Sequence, residues 1–173
     1  MAHMKVVLPG SYDPVTVGHI DVAVRAAVLF DEVVIAVVHN PKKTGFFPLP
    51  ERIALIEAAL AEHPGAQGKN IVIDDVPGGL LVDYCTRIGA VAVAKGLRGE
   101  TDYAYELPMA HMNRHLTGLE TVFVPGDPAL AHISSSLIRE VHALGGDIEG
   151  LVPSAVKSAM DAARADREES ARG

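Results

Sequence analysis

Residues 6–22, "VVLPGSYDPVTVGHIDV", are typical of a buried strand that leads through a loop into a helix. Gly10 and Ser11 stand at one end of the loop, and Gly18 and His19 stand at the other. Glycine lets the backbone approach a ligand closely, and a helix N-terminus offers free N–H groups to an anion. The loop is therefore either a phosphate-binding turn or an ordinary strand-to-helix turn in which His19 caps or packs locally.

Apolar runs rich in β-branched residues alternate with segments of helical period along the rest of the chain. Near-continuous apolar runs are typical of parallel strands that are buried on both faces of a sheet. The pattern predicts an α/β domain with a doubly wound five-stranded parallel sheet and helices on both faces. The predicted strands are Lys5–Leu8, Val33–Val38, Asn70–Asp74, Val91–Ala94 and Thr121–Val124. The predicted helices are His19–Phe30, Pro50–Glu62, Leu80–Ile88, Asp102–Leu116, Ser135–Leu144 and Pro153–Ala165.

The length and composition of the 173 residues indicate one domain, and they leave a small anionic ligand open. The net charge of −7 argues against a nucleic-acid partner, because phosphate backbones are bound by massed Lys and Arg. Charge or glycine interrupts each long apolar stretch well short of a membrane span, so we expect no membrane partner either. The domain is expected over residues 4–165, with 1–3 an expression remnant and 166–173 a frayed, charged tail.

Cys85 is the single cysteine of the chain, so no internal disulfide can form. This favours a reducing, cytoplasmic location. Because Cys85 stands among Leu81, Val82, Tyr84 and Ile88, we expect a thiol packed in the core and not a nucleophile.

Ligands of open parallel sheets bind outside the carboxyl ends of the strands, so the loops at that edge are the candidate sites. Lys42 and Lys43 follow the second predicted strand and are either solvated surface or phosphate ligands. Lys95 ends a buried run and needs an anion or an exit to water, and Arg98 follows a glycine turn. In "ISSSLIRE", one serine is explained by N-capping, but three favour a phosphate nest: Ser134, Ser135 and Ser136.

Three other sequence features are not assigned a catalytic or binding role. Asp13-Pro14 is a turn pair. His111 and His115 are four residues apart on a predicted helix, but a metalloprotease signature needs Glu where Met112 stands. Neither the Walker A pattern nor G-x-G-x-x-G is present, so a P-loop ATPase and a typical dinucleotide dehydrogenase are not supported.

Taken together, "PGSYDPVTVGHIDV", "NPKKTGFF", "KGLRGETDYAYELPMAHMNRHL" and "ISSSLIREV" closely resemble the bacterial phosphopantetheine adenylyltransferases. These belong to the nucleotidyltransferase superfamily with the [HT]-x-G-H signature. The resemblance runs from about Val6 to Val156. It implies a Rossmann-like nucleotidyltransferase fold and reversible transfer of the adenylyl group of ATP to 4′-phosphopantetheine, giving dephospho-coenzyme A and pyrophosphate. It also implies Mg²⁺ with ATP, a homohexamer, a role in coenzyme A biosynthesis, and coenzyme A as a feedback inhibitor.

The resemblance implies catalytic roles for His19, Lys43 and Arg98. His19 would contact the ATP phosphates and stabilise charge at the α-phosphorus, and Lys43 would hold the attacking phosphate. Ser11 would touch both substrates. The remaining ATP-binding positions are Tyr12, Gly96, Leu97, Glu106, Ile133 and the three serines 134–136. The remaining phosphopantetheine-binding positions are Leu81, which would receive the pantetheine arm, and Lys95, where relatives often carry Arg.

The sequence departs from the family at Leu130, Ala131 and His132, where relatives often have an aromatic residue on the adenine side. These three positions are still expected to contact ATP. No protein residue is expected to bind a metal directly.

Two alternatives are open at this point. The chain could be another nucleotidyltransferase, acting on nicotinamide mononucleotide or, with CTP, on a phosphorylated alcohol. It could also be a module that binds a nucleotide or coenzyme A without turnover. No activated Ser or Cys nucleophile is evident, so transfer without a covalent intermediate is expected.

Overall fold

The computed structural model describes residues 3–38, 45–76 and 78–172, with the backbone alone at residues 168 and 170–172. Its five strands form one sheet in the order β3-β2-β1-β4-β5, and all four neighbouring pairs are parallel. The predicted fold class is confirmed. The strands are β1 (Lys5–Gly10), β2 (Glu32–Val38), β3 (Ile71–Val76), β4 (Ala92–Leu97) and β5 (Glu120–Pro125). The helices of the described ranges are α1 (Val17–Leu29), α2 (Leu49–Glu62), α3 (Leu81–Ile88), α4 (Glu100–Thr117), α5 (Ser135–Ala143) and α6 (Ser154–Arg172).

The central strands β1 and β2 are buried on both faces of the sheet: successive residues of a strand point to opposite faces, and residues 6–8 and 33–37 are all buried. Val6 and Leu8 of β1 belong to a large core that also contains side chains of α1, α2, α5 and α6. Val7 belongs to a smaller core on the other face, closed by α3. Cys85 is fully buried in this smaller core without a disulfide, and burial raises the pKa of its thiol to about 11. The expectation of a core thiol is confirmed.

Three strands run two or more residues further than the apolar pattern predicts. β1 continues to Gly10, β3 continues to Val76, and β4 continues through Lys95 and Gly96 to Leu97. Backbone pairing is the reason, because β4 stays in register with β5 up to Leu97 opposite Pro125. The residues predicted to start a ligand loop therefore sit on a rigid strand end.

The backbone of the charged tail is helical, since α6 extends to Arg172. The segment "RADREESAR" is rich in residues with good helix propensity, which explains the continuation. Within the ranges that the structure describes, no helix is both long and apolar enough to cross a membrane.

The chain order reverses between β1 and β4, and this switch point is where open α/β sheets bind ligands. β1 and β4, which are both fully described, pair only at Val6 with Ala92 and at Val7 with Val93. Beyond these positions the two strands separate, while each stays paired to its outer neighbour. The separation opens a crevice between Gly10 and Gly96.

The close packing of α1 on β4 depends on Gly96, because a Cβ added there would lie 2.8 Å from Cγ2 of Val22. We expect Gly96→Ala to lower the free energy of unfolding by about 1–3 kcal/mol through overpacking. The exposed Gly78, where a Cβ would meet nothing within 4 Å, provides the control Gly78→Ala. Urea titrations measure both, and the Gly96 effect should shrink in a Val22→Ala background. Equal effects of the two alanines would contradict this account.

Candidate active site

A cavity of about 350 Å³ lies in the crevice between the carboxyl ends of β1 and β4. The N-termini of α1 and α5 and one side of α4 complete its walls. Most of the residues predicted for nucleotide binding meet here, although they come from loops far apart in sequence. The predicted residues that line the cavity are Tyr12, His19, Lys95, Gly96, Leu97, Arg98, Glu106, Leu130, Ile133, Ser134 and Ser135.

Other predicted residues do not line this cavity as the described residues shape it. Ser11 is exposed beside it, and Leu81 is half-buried against the smaller core. Ala131, His132 and Ser136 lie next to lining residues without lining the cavity themselves. Lys42 and Lys43 lie outside the described residues.

The start of α1 fixes the orientation of His19. Thr16 is the N-cap of the helix, and the His19 backbone N–H donates to its side chain. In return, Nδ1 of His19 accepts the Thr16 backbone N–H at 3.0 Å. This reciprocal pair is a capping box, with histidine in the place usually taken by Glu or Gln. The capping that we considered as an alternative role for His19 is therefore real, and it occupies only one ring nitrogen.

The same hydrogen bond determines which tautomer of His19 is present. Because Nδ1 accepts a backbone proton, the proton of the neutral ring must be on Nε2. Burial in the cavity wall, followed by the positive charge of Arg98, lowers the pKa of His19 to about 4. His19 is therefore a neutral Nε2–H donor near pH 7.

Tyr12 supports the His19 ring from the side. Its backbone adopts a left-handed conformation with φ 47°, which is uncommon for a bulky residue and costs about 1–3 kcal/mol. Its hydroxyl donates to the Leu8 carbonyl at 2.8 Å, and its ring meets the His19 ring edge to face at 5.0 Å. The strained turn therefore packs an apolar ring against the histidine.

Two cations of the cavity wall are each held by a carboxylate. Asp102 binds Arg98 through both oxygens, at 2.8 Å to Nε and 2.9 Å to Nη2, and hydrogen bonding to Asp102 raises the pKa of Arg98. Arg98 also donates to the Ile133 carbonyl at 3.1 Å, which ties β4 to the serine loop. Lys95 lies 3.2 Å from a carboxylate oxygen of Glu106. Lys95 and Glu106 thus form an ion pair in the wall of the cavity.

The hydroxyl groups of the serine loop, residues 134–136, make different contacts. Ser134 caps α5 by accepting the Leu137 N–H at 3.2 Å, as N-capping predicts for one serine. Ser135 donates to the Pro14 carbonyl at 2.8 Å and so holds the first loop. The first turn of α5 still presents its backbone N–H groups, as does the first turn of α1. Two helix N-termini therefore face one cavity, which suits a polyanionic ligand.

Sequence reasoning missed several parts of this site. Asp102 lies four residues after Arg98, but Arg98 precedes α4, so the spacing of paired helical side chains gives no signal for this contact. Asp21 pairs with Arg25 four residues later on α1, and nothing local indicates that Asp21 lines the cavity. Asp13, interpreted as a turn residue, is buried and accepts two backbone N–H groups from a distant loop.

Comparison with known proteins agrees with this geometry. Residues 7–141 match the family model described as cytidylyltransferase-like, which places the fold and its cavity in the nucleotidyltransferase class of enzymes. A phosphopantetheine adenylyltransferase of Clavibacter michiganensis is 52% identical over 92% of this chain and 96% of its own length. The phosphopantetheine adenylyltransferase of Micrococcus luteus is 51% identical over 91% of this chain and 97% of its own length. This chain belongs to the phosphopantetheine adenylyltransferase family.

A solved structure from Vibrio parahaemolyticus, assigned as a nicotinate-nucleotide adenylyltransferase, also resembles this chain. The two superpose with a TM-score of 0.68 over 94% of each chain, at 16% sequence identity. At this identity the likeness bears on the fold alone, which is the fold expected from the sequence.

The lowered pKa of His19 predicts its titration in the ligand-free protein. We expect an imidazole that stays neutral, with the proton on Nε2, down to about pH 5 and titrates near pH 4. Since the unfolded chain binds this proton near pH 6.5, the contribution of His19 to stability is complete above pH 6.5 and is lost as the pH falls through 4. Ring-nitrogen NMR, assigned with His19→Gln, measures the titration. A midpoint near 6.5 would contradict the assignment.

Proposed function

We propose that this cavity transfers the adenylyl group of ATP to the phosphate of 4′-phosphopantetheine, reversibly, giving dephospho-coenzyme A and pyrophosphate in coenzyme A biosynthesis. One observation carries the proposal: in a member of this family, a neutral imidazole donor, two cations and two helix N-termini converge on one cavity. These groups bind phosphates, and none of them is an activated nucleophile. The reaction is therefore a direct in-line transfer.

The task of such a site is to bring two polyanions together. The phosphate of 4′-phosphopantetheine carries negative charge at neutral pH and needs no strong base. Positioning the two reactants can supply about 7–11 kcal/mol, and donors aimed at the developing charge supply several more. We assign the attacking phosphate to Ser11, Lys43 and Lys95, and the pantetheine arm to the side of Leu81.

On the ATP side, Nε2–H of His19 is aimed at the charge that develops on the α-phosphate. Arg98 and the first turn of α5, with its serines 134–136, bind the phosphates that depart as pyrophosphate. Gly96 and Leu97 present the β4 strand end to the adenylate, and Leu130–Ile133 form the adenine side. Glu106 acts beside ATP by holding Lys95, and Tyr12 by supporting the His19 ring.

Magnesium fits this site as part of the substrate. The cavity wall contains two cations and four carboxylates, so its own charges do not neutralise a triphosphate. Three of these carboxylates are paired with Arg25, Arg98 and Lys95. The described residues include no group of three His, Cys, Asp or Glu side chains able to hold a metal ion. Mg²⁺ would therefore arrive bound to ATP, and the protein groups would contact the remaining phosphate oxygens.

A homo-oligomer, which the family resemblance implies to be a hexamer, is supported by one face of α4. Tyr105, Met109, Met112 and Leu116 are exposed and recur at helical spacing, which forms an apolar stripe of the kind that pairs with another subunit. Tyr105 also lines the cavity, so this contact would adjoin the site. Coenzyme A, which shares most of its atoms with the product, would bind the same cavity as a feedback inhibitor. The single buried thiol supports a cytoplasmic location.

The choice of acceptor tests the function. We expect ATP and Mg²⁺ to release pyrophosphate with 4′-phosphopantetheine and not with nicotinamide mononucleotide, nicotinate mononucleotide or water. Mass spectrometry should find dephospho-coenzyme A in equal amount. Release with a nucleotide acceptor would keep the chemistry and reject the substrate. Binding of ATP without any release would indicate a binding module.

Two variants of His19 separate catalysis from helix capping. Gln at this helix position can also form a capping box, whereas Ala cannot. We expect both His19→Gln and His19→Ala to lower kcat about 100-fold or more, with a much smaller change in KM for ATP. His19→Ala alone should lose about 1 kcal/mol of unfolding free energy. A loss confined to KM for ATP would reject transition-state stabilisation by His19.

A further inference from the structure

A buried ion pair lies beneath the first loop, outside the cavity. Asp13 is 7% exposed and Arg52 of α2 is 5% exposed, and Nε of Arg52 lies 3.5 Å from Oδ1 of Asp13. Neither side chain lines the cavity that the described residues form. Their backbone partners, however, are Ser11, Phe46 and Phe47, and the proposed function assigns the acceptor phosphate to Ser11 and to Lys43, which is close to Phe46 in sequence.

The Asp13 carboxylate binds the backbone of the segment that follows β2. Oδ2 accepts the Phe46 N–H at 2.7 Å, and Oδ1 accepts the Phe47 N–H at 2.9 Å. These two hydrogen bonds fix the orientation of the backbone at this bend, because both N–H groups must point at the same carboxylate. In the sequence, Phe46 stands three residues after Lys43.

The Arg52 guanidinium joins the two loops to each other. Its Nε donates to the Phe47 carbonyl at 2.7 Å, and its Nη1 donates to the Ser11 carbonyl at 3.2 Å. The planar fork can reach two carbonyls and a carboxylate at once, which a lysine with a single ammonium group cannot reproduce. Arg52 therefore links the Ser11 backbone to Phe47 through one side chain, in addition to the bonds that Asp13 makes.

Gly45 is shaped to this pair. A Cβ at Gly45 would collide with the Arg52 guanidinium and would lie 2.9 Å from Oδ2 of Asp13. Glycine is thus needed here to let the backbone pass close to the ion pair. Substitution of Gly45 would displace the guanidinium without removing either charge.

Stability alone is a weak reason for this arrangement, because a buried ion pair is often no more stabilising than apolar residues of the same volume. What the pair supplies is directional contact with loop backbone. The opposite side of the same dipeptide is held independently, since Arg139 donates to the Asp13 carbonyl and Ser135 to that of Pro14. Changes in the two buried side chains should therefore leave the α5 side in place.

We propose that Asp13 and Arg52 are positioning residues for the acceptor phosphate: the pair fixes residues 45–47 against Ser11, whereas His19, Arg98 and the start of α5, which bind most of ATP, are held by other contacts. This inference rests on the proposed function. It predicts that disturbing the pair weakens use of 4′-phosphopantetheine selectively. A purely structural role would affect both substrates or neither.

The test compares KM values for the two substrates in Arg52→Lys, Asp13→Asn and Gly45→Ala. Arg52→Lys keeps the compensating charge, so the fold should survive. We expect each variant to raise KM for 4′-phosphopantetheine about tenfold, the scale of losing one hydrogen bond to a charged group, and KM for ATP less than about twofold. The double variant Gly45→Ala with Arg52→Lys should be no worse than either alone, because both act through one contact.

The matched control is Asp161→Asn, which weakens the hydrogen bond between Asp161 and another buried side chain, His142, at 2.9 Å and outside the cavity lining. It should change neither KM. Equal shifts for both substrates, no shift, or the same shift in the control would overturn the inference. If wild-type enzyme produced no dephospho-coenzyme A, the proposed function itself would fail.

Hydrogen exchange in the wild-type protein tests the same inference if the variants do not fold. Saturating 4′-phosphopantetheine should slow hydrogen exchange at the Phe46 and Phe47 amides, which the Asp13 carboxylate holds, whereas ATP with Mg²⁺ should not. Equal protection by both ligands, or by neither, would overturn the assignment of the pair to the acceptor side.

Discussion

β1 and β4 pair at only two positions, and the active site exists because they then separate. Each strand end remains rigid, since β2 and β5 continue to pair with it. The gap between Gly10 and Gly96 is thus walled by strands, and the helices that start beside it turn their N-termini inward. The sheet twist and the reversed strand order create this gap, and the side chains that line it supply the groups for binding.

The groups in the gap that would bind phosphate are a neutral histidine and cations that are already paired with carboxylates, and not unpaired positive charges. His19 is kept neutral by burial and by Arg98, while Arg98 and Lys95 each carry a carboxylate partner. Partnered cations are held in place before the substrate arrives, so less order must be created on binding. An overall charge of −7 is therefore compatible with a polyanionic substrate, since the groups that would bind it are local to the cavity.

The two sides of the proposed reaction have separate supports. The α5 helix and β4 hold the ATP side through Arg98 and the serine loop. Asp13 and Arg52 hold the acceptor side from below. Asp13 joins them, since its carbonyl bonds to Arg139 of α5 while its carboxylate bonds to residues 46 and 47. The Asp13-Pro14 turn is thereby bonded on one side to α5 and on the other to residues 46 and 47, and neither of its residues lines the cavity.

Much of this protein follows from the sequence by itself. Strand and helix order, the buried thiol and the identity of His19, Arg98 and the serine loop are local properties, because hydrophobic period and short motifs are read over a few residues. Only the tertiary structure decided which groups became partners. The pairing of Lys95 with Glu106, the extension of β4 and the burial of Asp13 each require contact between distant segments. Asp13-Pro14 looks like any turn in sequence, and it acquires a role only when α2 brings Arg52 beneath it.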